Sequence, residues 1–422
     1  MTKVILLVLL YLTFPLVIIW MCRKRTFFKK LGSIVLAYGF GLILSTTGII
    51  PDGSEAFQQA LKGDTYLPKE EAEELLTSGM ITGDDIRANN IATMQDTLQA
   101  IGVLAFPLLL FSLNIRRWLK YAKEGFISMA LALVSIIVII ISGFLIFRNL
   151  VPDSWKMGGL LVGVYTGGTP NMVSLKLALD VNSSQFIMAN TYDMLVGAAT
   201  IIFFITAGPR VFRSFLRPFK KIVEHNEIDE DIREADSFED YSGMFKKQVL
   251  PGLLKGLGLA VVILGLSVGI SVLFFGAIKD PVVILTITTL SIIASLFPWV
   301  NRIEKTFQLG MYFVLIFSFL VASMADLEAI FSPGMLSLLG FVTWCYFGSL
   351  LLHLLLSVIF RIDADNYLIT TTAFVFSPPF VPVVASSLKN KDVIITGITV
   401  GIIGYVMGNY MGVALAYLMK GM

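Results

Sequence analysis

Charge is scarce in this sequence. Only 15% of its 422 residues are Asp, Glu, Lys or Arg, 56% are hydrophobic, and the mean hydropathy is +0.81. Soluble globular domains carry roughly 25% charged residues, so that class is excluded and a polytopic helical membrane protein is indicated. The net charge is +2 and the basic residues sit in loops beside apolar runs, which gives no basis for a nucleic-acid partner. Cysteine is nearly absent. Cys22 and Cys345 both fall in or beside apolar segments, so no disulfide framework is expected, and with only His225 and His353 in addition there is no zinc-ligand spacing. Walker-type phosphate loops, HExxH, paired catalytic aspartates and Ser/His pairs on neighbouring predicted elements are also missing. ATP coupling within the chain is thereby excluded, and no enzymatic activity is expected.

What is present is a series of long apolar runs. Spanning takes roughly 20 apolar residues. The candidates are 4–21, 31–50, 94–113, 127–147, 186–207, 250–275, 282–297, 307–325, 335–359 and 393–418. That predicts an all-α protein of about ten transmembrane helices. The first run is too long for a signal-peptide core and is followed by Arg23-Lys24-Arg25 rather than a small-residue cleavage site, so it reads as a retained span.

Two apolar segments, 157–181 and 365–391, remain over. Each is broken in the middle, by Thr166-Gly167-Gly168-Thr169-Pro170-Asn171 and by Ser377-Pro378-Pro379. Glycine frees the backbone and proline removes a donor, so both breaks should unwind a helix. Loop charges then set the topology. Stretch 22–31 holds five Lys/Arg, 114–124 four and 209–248 eight, whereas 51–93 holds nine acids against three bases. The positive-inside rule puts the N-terminus outside and the linker 209–248 in the cytoplasm, provided that 157–181 enters and leaves on one side. Half-segments of about ten residues reach only ~15 Å, too short to cross alone. A re-entrant hairpin fits both facts; the alternative is an interrupted helix that crosses completely. The same reasoning applies to 365–391. Arg117 precedes Pro170 by 53 residues and Asp326 precedes Pro379 by 53, so the halves read as inverted repeats, 1–208 and 249–422, joined by the linker 209–248.

A half-helix ending near Thr166 points carbonyls at the gap, and one starting at Pro170 points amides into it. Thr166, Gly167, Gly168, Thr169, Pro170 and Asn171, with Ser377, Pro378 and Pro379 from the second break, are therefore the candidate substrate site. Asn409 in the last span either adds an amide oxygen or bridges helices. Ionisable groups in apolar surroundings are few. Asp193, with Asn190 and Thr191, is the candidate for the coupling ion, sodium or a proton. Lys176 could pair with Asp193 or Asp180, or snorkel to the cytoplasm. His353 reads as a satisfied interhelical donor. Gly397, Gly401, Gly404, Gly408 and Gly412 share one helix face, a close-packing stripe suited to a span pressed against a hairpin. The polar insert 51–92, with a short helix expected at 69–76, is either a partner-binding cap or a solvated loop. Val211 to Arg217 is a basic amphipathic stretch, and Glu227 to Asp231 is a solvated acidic connector.

Tyr165-Thr166-Gly167-Gly168-Thr169-Pro170-Asn171-Met172, together with Gly404-Tyr405-Val406-Met407-Gly408-Asn409-Tyr410-Met411-Gly412, resembles the YjcL-like bacterial membrane family, a domain of unknown function numbered 819. The resemblance covers nearly the whole chain outside 51–92. At the second break Ser377-Pro378-Pro379 stands where a Gly-Gly-Pro-Ala-Thr type of run is expected. The resemblance implies a secondary-transporter-like fold, in the style of sodium-coupled glutamate and citrate carriers, and supplies no substrate. The expectation is an ion-coupled secondary transporter of a small polar or anionic metabolite in the bacterial inner membrane. Its expected partners are the small-molecule substrate, the lipid bilayer and a second copy of the chain, with no cofactor other than a sodium ion. The competing reading is a membrane receptor or assembly factor that works through 51–92.

Overall fold

The computed structural model describes residues 2–61, 64–112, 115–219, 240–325, 333–390 and 392–422. The acidic run 227–231, His225 and Asp326 lie outside these. Among the described residues the helices are α1 (Thr2–Lys24), α2 (Thr26–Leu31), α3 (Ser33–Ser45), α4 (Glu55–Leu61), α5 (Lys69–Thr77), α6 (Gly83–Gln99), α7 (Ile101–Phe111), α8 (Ile115–Phe147), α9 (Ser154–Gly167), α10 (Thr169–Ala178), α11 (Ser183–Thr206) and α12 (Gly208–Phe215). They continue as α13 (Leu250–Phe275), α14 (Asp280–Ser295), α15 (Pro298–Asn301), α16 (Thr306–Ser323), α17 (Pro333–Ile359), α18 (Ala364–Val375), a 3-10 turn (Pro378–Phe380), α19 (Val381–Leu388) and α20 (Val393–Lys420).

The class is all-α, and eight helical stretches among the described residues are long and apolar enough to cross a membrane, α6 and α7 together forming one of them, Gly83–Phe111. Two of the ten expected spans are shorter. α3 has 13 residues and α14 has 16, about 20 and 24 Å of helix. Apolar side chains on the outer faces support the membrane reading. On α13, Leu254, Val261, Val262, Leu266, Leu273 and Phe274 are all more than half exposed, a band that water would not tolerate.

The described chain packs as two compact units, each drawing on both halves of the sequence. One comprises 1–102, 181–191 and 312–336, the other 103–180, 192–311 and 337–422. The first is held by buried aromatics and hydroxyls. Tyr11 shares a 2.8 Å hydrogen bond with Ser323 and accepts one of 2.8 Å from Gln95, Phe14 stacks on Phe319 at 4.6 Å, and Tyr38 meets Thr191 at 2.7 Å. The polar insert belongs to this unit and has its own small core of Phe57, Leu61, Leu67, Ala72, Ile81 and Ala88. The expected helix at 69–76 is α5. The end of the insert, from Gly83, is already the helix that runs on through α6. That helix starts in a capping box in which Asp85 accepts from Thr82 N at 2.8 Å and also from Ser54 N at 2.6 Å. Asn89 closes the insert by bonding both the amide and the carbonyl of Leu67.

The second unit is built around the two broken segments, and both fold back on themselves. In the first, Gly167 lies against Asn171, Gly163 against Leu175 and Gly159 against Leu179, an antiparallel register about the break. Its base is tied by Lys156 Nζ to the Asp180 carbonyl at 2.6 Å. In the second, Asn390 at the far end bonds Asp365 at the near end, 2.9 Å apart. Arg213 of α12 joins the two legs, contacting Asp365 at 2.9 and 3.2 Å and the Leu388 carbonyl at 3.0 Å. The amphipathic stretch after Pro209 therefore presents Phe215 outward while Phe212 packs on Tyr367 at 4.9 Å.

Candidate functional site

The two hairpin tips meet. Ser377 Oγ donates to the Gly167 carbonyl at 3.2 Å, and a Cβ on Gly168 would collide with the same hydroxyl. Gly168 has φ 71° and ψ −162°, and Ser377 has φ 80° and ψ 161°. Only glycine occupies this region freely; for serine it stores about 1–3 kcal/mol. The same rare backbone turn thus occurs at both tips, 209 residues apart, as are Pro170 and Pro379. Positive φ at the break lets each half-segment reverse in one residue, so α9 and α18 deliver their C-terminal ends to the same place.

The last span, α20, closes the other side. The glycine stripe is what lets it approach. A Cβ on Gly404 would strike the Thr166 carbonyl, and one on Gly408 the side chains of Asn171 and Thr166. Gly412 would meet Gly159 O at 2.9 Å, Gly401 would meet Pro378 at 2.7 Å and Gly397 would meet Val381 at 2.6 Å. The upper glycines serve one hairpin and the lower ones the other. Asn171 is fully buried between Gly167 and Gly408. Its Nδ2 donates to the Gly404 carbonyl at 3.0 Å, and its Oδ1 has no protein partner. The Thr166 hydroxyl donates back to Val162 O at 2.8 Å. Asn171 N and Met172 N both return to Gly168 O, at 3.1 and 3.3 Å. Asn171 N is thereby engaged within the first turn of α10, and Met172 N makes the first regular helical bond.

The remaining candidates are distributed. Asn409 is fully buried one position beyond Gly408 and turns to α14, donating to Thr288 at 3.0 Å. Asp193 is 7% exposed, with one carboxylate oxygen lacking a protein partner and Tyr165 within hydrogen-bonding reach. Tyr165 meets Tyr346 edge-on, ring centroids 5.5 Å apart. Asn190 and Thr191 belong to the first unit, where the Thr191 hydroxyl is held by Tyr38 and donates to the Ile187 carbonyl at 2.8 Å, while both polar atoms of the Asn190 side chain lack a protein partner. His353 places Nδ1 3.1 Å from Thr371 and Nε2 3.5 Å from Ser128, the interhelical role expected of it. Sequence reasoning missed Tyr346, and it missed Tyr405, which lies beside Ser377. No local signal marks either, since both are ordinary aromatics in apolar helices.

Buried hairpins, apolar outer faces and eight spanning-length helical stretches define a multi-pass helical membrane protein. Comparison with known sequences gives the family. The family model described as a protein of unknown function (DUF819) matches residues 76–422. The uncharacterized membrane protein YjcL of Bacillus subtilis (strain 168) is 25% identical over 323 residues, covering 73% of this chain and 79% of YjcL. The chain belongs to the DUF819 family. The match opens within α5, so it takes in the end of the polar insert and the whole of both hairpins, and leaves 1–75 outside.

Proposed function

We propose that the protein is an ion-coupled secondary active transporter of a small polar or anionic metabolite, working in the bacterial inner membrane. The observation that carries this reading is the meeting of two hairpin tips in a buried place, with the Ser377 hydroxyl on the Gly167 carbonyl. Non-helical backbone at membrane depth is stable only where protein, water or a ligand satisfies it. Two broken helices converging on one point are the usual construction of a carrier's binding site. Equal spacing and equal backbone geometry at Gly168 and Ser377 support an inverted repeat, and the loop charges support an exterior N-terminus and a cytoplasmic linker. Thr166, Thr169, Asn171 and Ser377 line the substrate site. Gly167, Gly168, Pro170, Pro378 and Pro379 shape it, and Asp193 answers to the coupling ion. No chemical step on the substrate is assigned, and a second copy of the chain in the bilayer is the expected assembly.

The test begins with a thermal-shift screen of the full-length protein against small metabolites, with and without sodium, and proceeds to uptake in proteoliposomes. Asn171→Ala and Asp193→Asn should abolish ion-dependent uptake while the protein remains folded. Unchanged uptake in both variants refutes the assignment. One observation favours the receptor reading as a second possibility: the insert folds on a core of its own. Deleting 54–81 separates the two. A transporter keeps its metabolite-induced thermal shift, whereas a receptor loses its partner.

A further inference from the structure

We infer that the junction of the two hairpin tips binds a monovalent alkali cation on neutral oxygens: Asn171 Oδ1, the Gly167 carbonyl and the hydroxyls of Thr166 and Ser377. The inference rests on the transporter reading and adds to it an ion position separate from Asp193.

The balance of donors and acceptors at the tips is the reason. Two half-helices, α9 and α18, end there and bring carbonyls. Two others begin there and would ordinarily bring amides able to hold an anion. Most of those amides are absent or engaged. Pro170, Pro378 and Pro379 have no N–H. Asn171 N and Met172 N bond Gly168 O, and Phe380 N bonds Ser377 O at 3.2 Å. What the tip offers is mainly oxygen. Asn171 is the decisive group. Its Nδ2 is fixed on Gly404 O, which orients the amide, and leaves Oδ1 without a partner in a fully buried side chain. Its place is settled by its neighbours: the amide lies against both Gly167 and Gly408, and Gly408 also abuts the Thr166 hydroxyl. That hydroxyl has already directed its proton to Val162 O, so a lone pair remains. A buried acceptor without a donor is otherwise unfavourable, and a bound cation removes the deficit.

The class of ion follows from the ligands. Residues 166–171 and 377–380 contain no carboxylate, thiolate or imidazole. Calcium sites recruit carboxylates, and transition metals recruit nitrogen or sulfur. Neutral hard oxygens without a compensating charge suit a singly charged alkali ion. The first to test is sodium.

The experiment uses the full-length protein in nanodiscs with no metabolite added. Thermal stability is followed against NaCl, KCl and LiCl, with choline chloride holding ionic strength constant. The expected result is a saturable rise with one alkali ion over choline. Asn171→Ala should move the midpoint at least tenfold or abolish the rise, and Ser377→Gly should move it severalfold. Thr77→Ala, on the exposed face of α5, should leave it unchanged. Ser377→Gly keeps the left-handed turn while removing the hydroxymethyl side chain, so it decides the matter if Asn171→Ala does not fold. No ion-specific rise in the native sequence overturns the inference. So does a rise that survives both tip variants and disappears only in Asp193→Asn. The two readings fail separately. Sodium stabilisation without uptake of any metabolite refutes transport alone, and proton-driven uptake without an alkali-ion effect refutes the cation site alone.

Discussion

Arg213 and Asp365 close the base of the second hairpin, and they are not equally replaceable. The Asp365 side chain is 2% exposed and that of Arg213 is 44% exposed, 2.9 Å apart. Arg213→Ala leaves a buried carboxylate whose remaining partner is the Asn390 amide. Stranding a buried charge in this way costs about 3–5 kcal/mol. Asp365→Asn leaves a guanidinium that water already reaches, and forfeits only charge-assisted hydrogen bonds, about 2 kcal/mol. The difference, about 1–3 kcal/mol, corresponds to roughly 10- to 100-fold in an equilibrium constant. Amide hydrogen exchange of the full-length protein in nanodiscs reads it directly. Segments 364–375 and 381–390 should open 10- to 100-fold more often in Arg213→Ala than in Asp365→Asn, with 159–178 as the internal control. The double variant should open less often than Arg213→Ala alone, because the stranded charge is gone. An Asp365→Asn protein that exchanges as fast as Arg213→Ala would refute the reasoning.

Other outcomes follow from the same geometry. Gly404→Ala should destabilise by about 1–3 kcal/mol through overpacking on Thr166, whereas Gly265→Ala, with no atom within 4 Å of the new Cβ, should be neutral or stabilising. Thermal unfolding of the pair in one detergent distinguishes them. Gly168→Ala meets both a positive φ of 71° and the Ser377 hydroxyl; the backbone alone should cost about 1–3 kcal/mol, and uptake should be lost before the fold. Asp85→Ala removes the N3 half of the α6 capping box and the hold on Ser54, while Thr82 still caps the helix. It should loosen the insert by about 1–2 kcal/mol, seen as faster limited proteolysis within 51–82 with the hairpins unaffected.

Much of this was legible in the chain itself. Apolar length marks the spans, because a bilayer demands the same thickness of every crossing segment. Gly167, Gly168 and Pro170, and then Ser377, Pro378 and Pro379, mark the breaks, because φ freedom and a missing N–H are properties of single residues. The spacing of Gly397, Gly401, Gly404, Gly408 and Gly412 announced close packing for the same reason. What they packed against was not legible. That Gly167 faces Ser377, 210 positions away, that Gly404 admits Thr166, and that Arg213 clasps Asp365 depend on which helices lie side by side. Apolar faces are nearly interchangeable as partners, so periodicity does not select among them. The amides of α10 show the limit most plainly. Residue types promised free donors at the start of α10, and only the folded first turn, returning Asn171 N to Gly168 O, left the tip lined mainly by oxygen.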